Sequence, residues 1–250
     1  GLVAGALFVL PGFLAILGLS YLYVLLGHAP LIEGLFFGLK AAVLAVVVQA
    51  VVRVGSRALK NNVMRGIAAA AFVAIFFLHV PFPLIVLTAA LAGYIGGRRG
   101  LAAFKGGGGH GSTGGNVVHD RDTALGEGLP DHARPNLAWS LKISGALLFL
   151  WLAPVILLLA LLGPDDVFTR IATFFSQMAV VTFGGAYAVL AYVAQEAVNT
   201  YGWLRPGEML DGLGLAETTP GPLIMVVQFV GFLAAFRDAT GLPPLVAATL

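Results

Sequence analysis

The chain of 250 residues contains no cysteine. That excludes disulfides and thiolate-held metals, and it says nothing about compartment. Charge is scarce as well: Asp, Glu, Lys and Arg make up 10% of the residues, against about 25% in an average soluble domain. With so few charges, a net +2 matters less than where each group lies. No basic stripe with interleaved aromatics occurs, so nucleic acid is not an expected partner. The opening residues lack a Met, a charged leader region and a cleavage site, which makes residues 1–26 a poor signal peptide. The expectation is a chain truncated at both ends.

What fills the sequence instead is apolar. Hydrophobic residues make up 59% of it, mean hydropathy is +0.94, and several runs approach the roughly 20 residues that a bilayer-spanning helix needs. The expected fold class is therefore all-α. It is a polytopic integral membrane protein in the lipid bilayer, with about six segments, broken or re-entrant helices and internal inverted repeats.

Residues 1–26 are apolar throughout, and a turn at Gly27–His28–Ala29–Pro30 follows. Residues 35–52 run back to Arg53, Arg57, Lys60 and Arg65, a basic cluster expected to face the cytoplasm. Two short segments, 67–80 and 82–97, are joined across Val80–Pro81–Phe82–Pro83 and end at Arg98, Arg99 and Lys105. Basic residues at both ends read as a hairpin that enters and leaves on the cytoplasmic side. From 98 to 138 the composition shifts to Gly, His, Asp and Arg, the mark of a flexible cytoplasmic linker. Its His110, His119, His132, Asp120 and Asp122 match no metal-site spacing and nothing rigid holds them, so neither metal nor cofactor is expected. The linker separates residues 1–97, the C-terminal part of a first repeat, from 139–250, the N-terminal part of a second.

In the second part, residues 139–162 span outward to the loop 163–166, 171–193 return, and 199–206 connect on the cytoplasmic side. Residues 208–215 lead into a Pro-Gly-Pro sequence, 223–236 form the next apolar helix, and 245–250 begin another. A short echo between Leu2–Val3–Ala4–Gly5–Ala6–Leu7 and Leu245–Val246–Ala247–Ala248–Thr249–Leu250 suits a repeat whose second copy is reaching the first one's opening.

Two interruptions carry the chemistry: Thr182–Phe183–Gly184–Gly185 and Glu217–Thr218–Thr219–Pro220–Gly221–Pro222. In lipid, irregular backbone survives only where protein or a watery cavity satisfies it, so broken helices mark sites. Pro220 and Pro222 have no amide proton and disfavour helix in the residue before them, which should stop one helix near Thr219 and restart another after Gly221. The restarting helix offers amides and the positive end of its dipole, which suit an oxyanion. Thr218 and Thr219 add hydroxyls. A plain proline kink is the competing reading, and Glu217 weighs against it, because an acid beside a break must be paired, solvated or used. A proton-coupling role suits Glu217 better than direct anion contact, and a helix cap at the water interface is the bland alternative. Gly184 and Gly185 allow close approach of a ligand or of another helix. Lys40 either attracts an anion or snorkels outward along its stem, and its position alone favours snorkelling. Gln49 and Gln228 are candidates for buried helix-to-helix bonds or ligand contacts. Tyr187, Tyr192, Tyr201 and Trp203 read as interface anchors.

The runs Thr182–Phe183–Gly184–Gly185–Ala186–Tyr187–Ala188–Val189–Leu190, Gly202–Trp203–Leu204, Glu217–Thr218–Thr219–Pro220–Gly221–Pro222–Leu223 and Gln228–Phe229–Val230–Gly231–Phe232 closely resemble the chromate ion transporter family, in its long, two-repeat type. Upstream, Phe8–Val9–Leu10–Pro11–Gly12 and Gly38–Leu39–Lys40 with residues 43–50 resemble that family's first half. The resemblance implies export of chromate across the bacterial plasma (inner) membrane, conferring chromate resistance, with sulfate as the competing or exchanged anion. A homo-oligomer stays open. The candidate substrate contacts are Lys40, Phe183, Gly184, Gly185, Thr218, Thr219, Pro220, Gly221, Pro222 and Gln228, with Glu217 for coupling. The first half's own Phe-Gly-Gly and Pro-Gly-Pro region is absent, and Ala41 stands where the family usually has proline after the lysine.

Alternatives are a sulfate or other anion transporter, a channel, a membrane scaffold and an intramembrane enzyme. The chain is not expected to be an enzyme, since His28, Asp165 and Asp166 fall in loops and no Asp, His or Ser cluster sits at membrane depth. A scaffold would not need the polar break.

Overall fold

The computed structural model describes residues 2–27, 29–78, 80–104, 136–182, 186–239 and 241–250. Every regular element among them is helical. Helix α1 (Leu2–Leu26) is followed after a tight turn by α2 (Pro30–Ala58). Pro30 opens α2 at no cost, because the first helical amide has no partner within the helix. Glu33 in the first turn and Arg57 in the last complement the helix dipole. Asn61 caps α3 (Asn62–Phe76), its side chain accepting from Met64 N at 2.9 Å. Helix α4 (Phe82–Arg98) packs back on α3.

Beyond residue 135, α5 (Leu137–Leu162) leads to α6 (Val167–Val181), which Asp166 caps by accepting from Phe168 N at 2.9 Å. The crossing expected over 171–193 is thus two helices, α6 and α7 (Ala186–Gln195), and α7 continues into a wider π turn over 196–200. Helices α8 (Glu208–Thr218), α9 (Val226–Asp238) and α10 (Pro244–Thr249) complete the chain. The stop at 218 and restart from 223 follow from the two prolines.

Helices α1, α2 and α5 are long and apolar enough to cross a membrane. No residue of α5 is buried, and Leu147, Phe149, Leu150 and Leu161 stand exposed. In hydrocarbon such a surface is the proper one, and the protein is an all-α membrane protein.

The core is organised around α9, where Val226, Phe229, Val230, Phe232, Leu233, Ala234 and Ala235 are buried. Helices α1, α6, α8 and α10 pack on it, and α2 joins through α8. Residues from both sides of 105–135 therefore share one core. Two expectations change here. Trp203 is fully buried, stacked on Tyr201 at 4.2 Å with Arg170 over the tyrosine ring, so it is a core residue and not an interface anchor. Gln49 lies on an exposed part of α2 and is not a buried helix-to-helix link.

Helix α8 fits between its neighbours because its inner positions are small. A Cβ on Gly214 would lie 2.5 Å from Leu39 Cγ of α2, and one on Gly212 would lie 2.5 Å from Phe229 Cδ1 of α9. Gly214→Ala is expected to lower stability by about 1–3 kcal/mol through overpacking, with part of the loss recovered in Gly214→Ala/Leu39→Ala. Thermal unfolding of detergent-solubilised protein reads both, and an unchanged Gly214→Ala midpoint would refute the close contact.

Candidate functional site

Glu208 and Asp211 are one helical turn apart, so their side chains share a face of α8. Both are buried. A buried carboxylate is tolerable only when cations or donors meet it, and here three helices supply them. Arg237 of α9 makes a two-pronged contact with Glu208, Nη1 to Oε2 at 2.8 Å and Nη2 to Oε1 at 2.7 Å. Its Nη1 also donates to Trp203 O at 2.6 Å, and Arg205 N donates to Glu208 Oε2 at 2.7 Å. Lys40 of α2 places its ammonium 3.1 Å from Asp211 Oδ2. Tyr23 of α1 bridges the pair, donating toward Asp211 Oδ2 at 3.2 Å and Glu208 Oε1 at 3.3 Å. Its ring is held edge-on by Phe36 and Phe229.

This network lines a cavity of about 750 Å³ between α1, α2, α8 and α9. Lys40, Arg205 and Arg237 face Glu33, Glu208 and Asp211 in its wall, so the formal charges cancel. The Lys40 side chain is 39% exposed and that of Asp211 3%, so the cation looks into the cavity while the acid sits behind it. Snorkelling, the reading favoured by position in the sequence, is not what Lys40 does. It lies about 15 Å along α2 from Pro30, within a helix long and apolar enough to cross a membrane, and an acid on the neighbouring helix meets it there.

The second feature is the break at the other end of α8. Thr219 is extended and Gly221 has φ 147°, a conformation that side chains resist. The backbone of α1 lies directly against it. A Cβ on Gly12 would come within 2.6 Å of Pro220 O, and one on Gly221 within 3.4 Å of Gly12 Cα. Gln228 Nε2 donates to Phe13 O at 3.1 Å, the helix-to-helix bond considered for it from sequence. The threonine hydroxyls are engaged at the end of α8. Thr218 Oγ1 donates to Gly214 O and Leu215 O at 3.0 and 3.1 Å, and Thr219 Oγ1 to Ala216 O at 3.1 Å. They satisfy carbonyls that a helix end leaves without partners.

The sequence-derived site residues therefore divide. Thr218, Thr219, Pro220, Gly221, Pro222 and Gln228 gather at the break around α1, with Glu217 exposed beside them. Lys40 belongs to the cavity: its partner Asp211 is eight residues from Thr219, about 12 Å along the helix. Phe183, Gly184 and Gly185 lie outside the described residues, as do His28, Tyr187's side chain and the linker's His110, His119, His132, Asp120 and Asp122. Reading by motif passed over Tyr23, Glu208, Asp211 and Arg237. The signal was present: two acids three residues apart between apolar segments, and ionisable residues at membrane depth mark function by default.

The family model for the chromate transporter matches residues 1–94 and 169–250. The chain is 31% identical over 240 residues to the chromate transport protein of Pseudomonas aeruginosa, covering 94% of this chain and 49% of that one. It is 22% identical over 253 residues to the chromate transport protein of Cupriavidus metallidurans, covering 93% and 49%. A shorter match, 36% over 66 residues, joins 26% of it to 17% of the probable chromate transport protein of Synechococcus elongatus. The chain thus spans about half the length of the first and second of these relatives. No solved structure gives a significant match.

Arg237→Met should cost about 3–5 kcal/mol, because it strands the buried Glu208 carboxylate, and Glu208→Ala should cost less, because Arg237 keeps 23% of its side chain exposed. The double variant should lose clearly less than the sum; strictly additive shifts in the thermal midpoint would refute the coupling. Gly12→Ala should cost about 1–3 kcal/mol, since its new methyl meets a backbone carbonyl that has little room to move. A wild-type unfolding curve for Gly12→Ala would contradict the contact between α1 and the break.

Proposed function

This chain belongs to the chromate transporter family, and from that premise we propose that it carries chromate outward across the bacterial plasma membrane. The linker over 98–138 then lies in the cytoplasm, and efflux confers chromate resistance. The observation that best supports this reading is the break at 217–222, a segment of irregular backbone pressed against α1 at Gly12 in a membrane-embedded core. Residues 223–225 form a tight turn that leads into α9, so the start of a helix faces the gap left by the two prolines. Amides there suit a tetrahedral dianion, and Thr218 and Thr219 can turn their hydroxyls from the end of α8 to the anion. Phe183, Gly184 and Gly185 complete the binding region in this reading, and Gln228 fixes its wall.

Lys40 supplies attraction from the cavity at the other end of α8. Glu217, exposed beside Thr218, acts as the coupling acid: a proton on it removes its repulsion as the dianion arrives. Chromate and sulfate share shape and charge, so amides, hydroxyls and a cation bind both and sulfate competes.

The test is chromate uptake into inverted membrane vesicles holding the full chain. Thr219→Ala is expected to raise KM about tenfold, the worth of a hydrogen bond to a charged group, and Thr219→Ser to restore it. Glu217→Gln is expected to keep uptake but lose its dependence on a proton gradient, and excess sulfate to inhibit. Absence of saturable chromate uptake in the wild type would refute the function. Wild-type behaviour of both Thr219→Ala and Glu217→Gln would move the site away from the break.

A further inference from the structure

The cavity network does more than neutralise itself. Its cations are matched by carboxylates, so as it stands it offers a dianion no net attraction. Within it the two ion pairs differ. Glu208 is held by both prongs of Arg237 and by the amide of Arg205, a fixed arrangement. Asp211 meets Lys40 through one oxygen only; its Oδ1 is buried without a hydrogen-bond partner among the described residues. Lys40 is the flexible member, a point charge on a long stem that reaches into the cavity.

We propose that Asp211 is an internal stand-in for the transported oxyanion: its carboxylate occupies Lys40 until it takes up a proton, and Lys40 then turns to the oxyanion. This rests on the oxyanion-transport reading above and adds to it a second anion position, controlled by Asp211. Tyr23 from α1 and Lys40 from α2 contact Asp211, and Glu33 from α2, Glu208 on its own helix, Arg237 from α9 and Arg205 from the preceding loop share the cavity wall with it. Of these, Lys40 alone forms an ion pair with Asp211 among the described residues. Tyr23 can stay in place throughout, donating to Glu208 when Asp211 no longer accepts. No bond other than that to the proton is made or broken. The sign follows: acid frees Lys40 and tightens anion binding, and rising pH restores the pair and weakens it.

The experiment is equilibrium binding of chromate and of sulfate to the purified full chain in detergent across neutral pH, alongside vesicle uptake. Sulfate is the cleaner probe because its own charge does not change near neutrality. Wild-type affinity is expected to rise as pH falls. Asp211→Asn should bind about five- to tenfold tighter at the alkaline end and lose the part of the pH dependence that Asp211 contributes, since the competing state is gone. Lys40→Gln should bind about tenfold more weakly and also lose that part of the pH dependence, and Asp211→Glu should keep it. A wild type that binds and carries chromate, with Asp211→Asn unchanged or weaker, overturns the inference and leaves the transport reading standing. If Asp211→Asn does not fold, Lys40→Gln decides: wild-type affinity and pH profile in that variant overturn the inference. A wild type that neither binds nor carries chromate or sulfate overturns the transport reading and this inference with it.

Discussion

A carboxylate removed from water has to be met by a cation or by hydrogen-bond donors, and α8 carries two of them on one buried face. That requirement dictates the neighbourhood. Glu208 draws in Arg237 at the end of α9, Asp211 draws in Lys40 from the first half of α2, and Tyr23 near the end of α1 serves both. Three other helices, two of them from the start of the chain, are thus tied to one short helix. Removing Lys40 or Arg237 would leave a buried carboxylate unmatched, so the two acids depend on both cations. The same interactions hold open a polar cavity inside an otherwise apolar assembly.

Such short links need the helices to come close, and the residues that permit it are small. Gly212 and Gly214 lie either side of Leu213, so they turn toward different neighbours, α9 and α2. Without the hydrophobic effect between helices in lipid, close packing of this kind carries much of the association. The contact of Gly12 with Pro220 and Gly221 repeats the principle at the break, where two stretches of backbone meet with no side chain between them. A helix end that would otherwise leave carbonyls bare in the membrane is closed by Thr218 and Thr219.

Helix existence was legible because runs of apolar residues in a charge-poor chain have few other solutions in lipid. The positions of the stops were legible for a local reason: Pro30, Pro81, Pro220, Pro222 and Pro243 constrain the backbone whatever surrounds them. Partners were not legible, because pairing is a matter of how helices are placed in three dimensions. Lys40 by itself is as compatible with snorkelling as with a buried bond, and only the position of Asp211, 171 residues away, decides it. Trp203 misled for a related reason. Aromatic residues near connections are common interface anchors, but here the loop folds inward and Phe174 and Tyr201 enclose the indole.

The two polar features lie at opposite ends of α8, a helix only about 16 Å long. Its first turn faces the charged cavity, and its last turn ends at the Pro-Gly-Pro break, so one rigid element links the two. Because Lys40 and the Gly12 contact both come from the first 97 residues, neither place is complete from the later residues alone. A shift of α8 along its axis would alter the Lys40–Asp211 distance and the Gly12–Pro220 approach together. Tight packing at Gly212 and Gly214 permits few intermediate positions. The charged cavity at one end of α8 and the backbone break at the other are thus joined through a single packed helix.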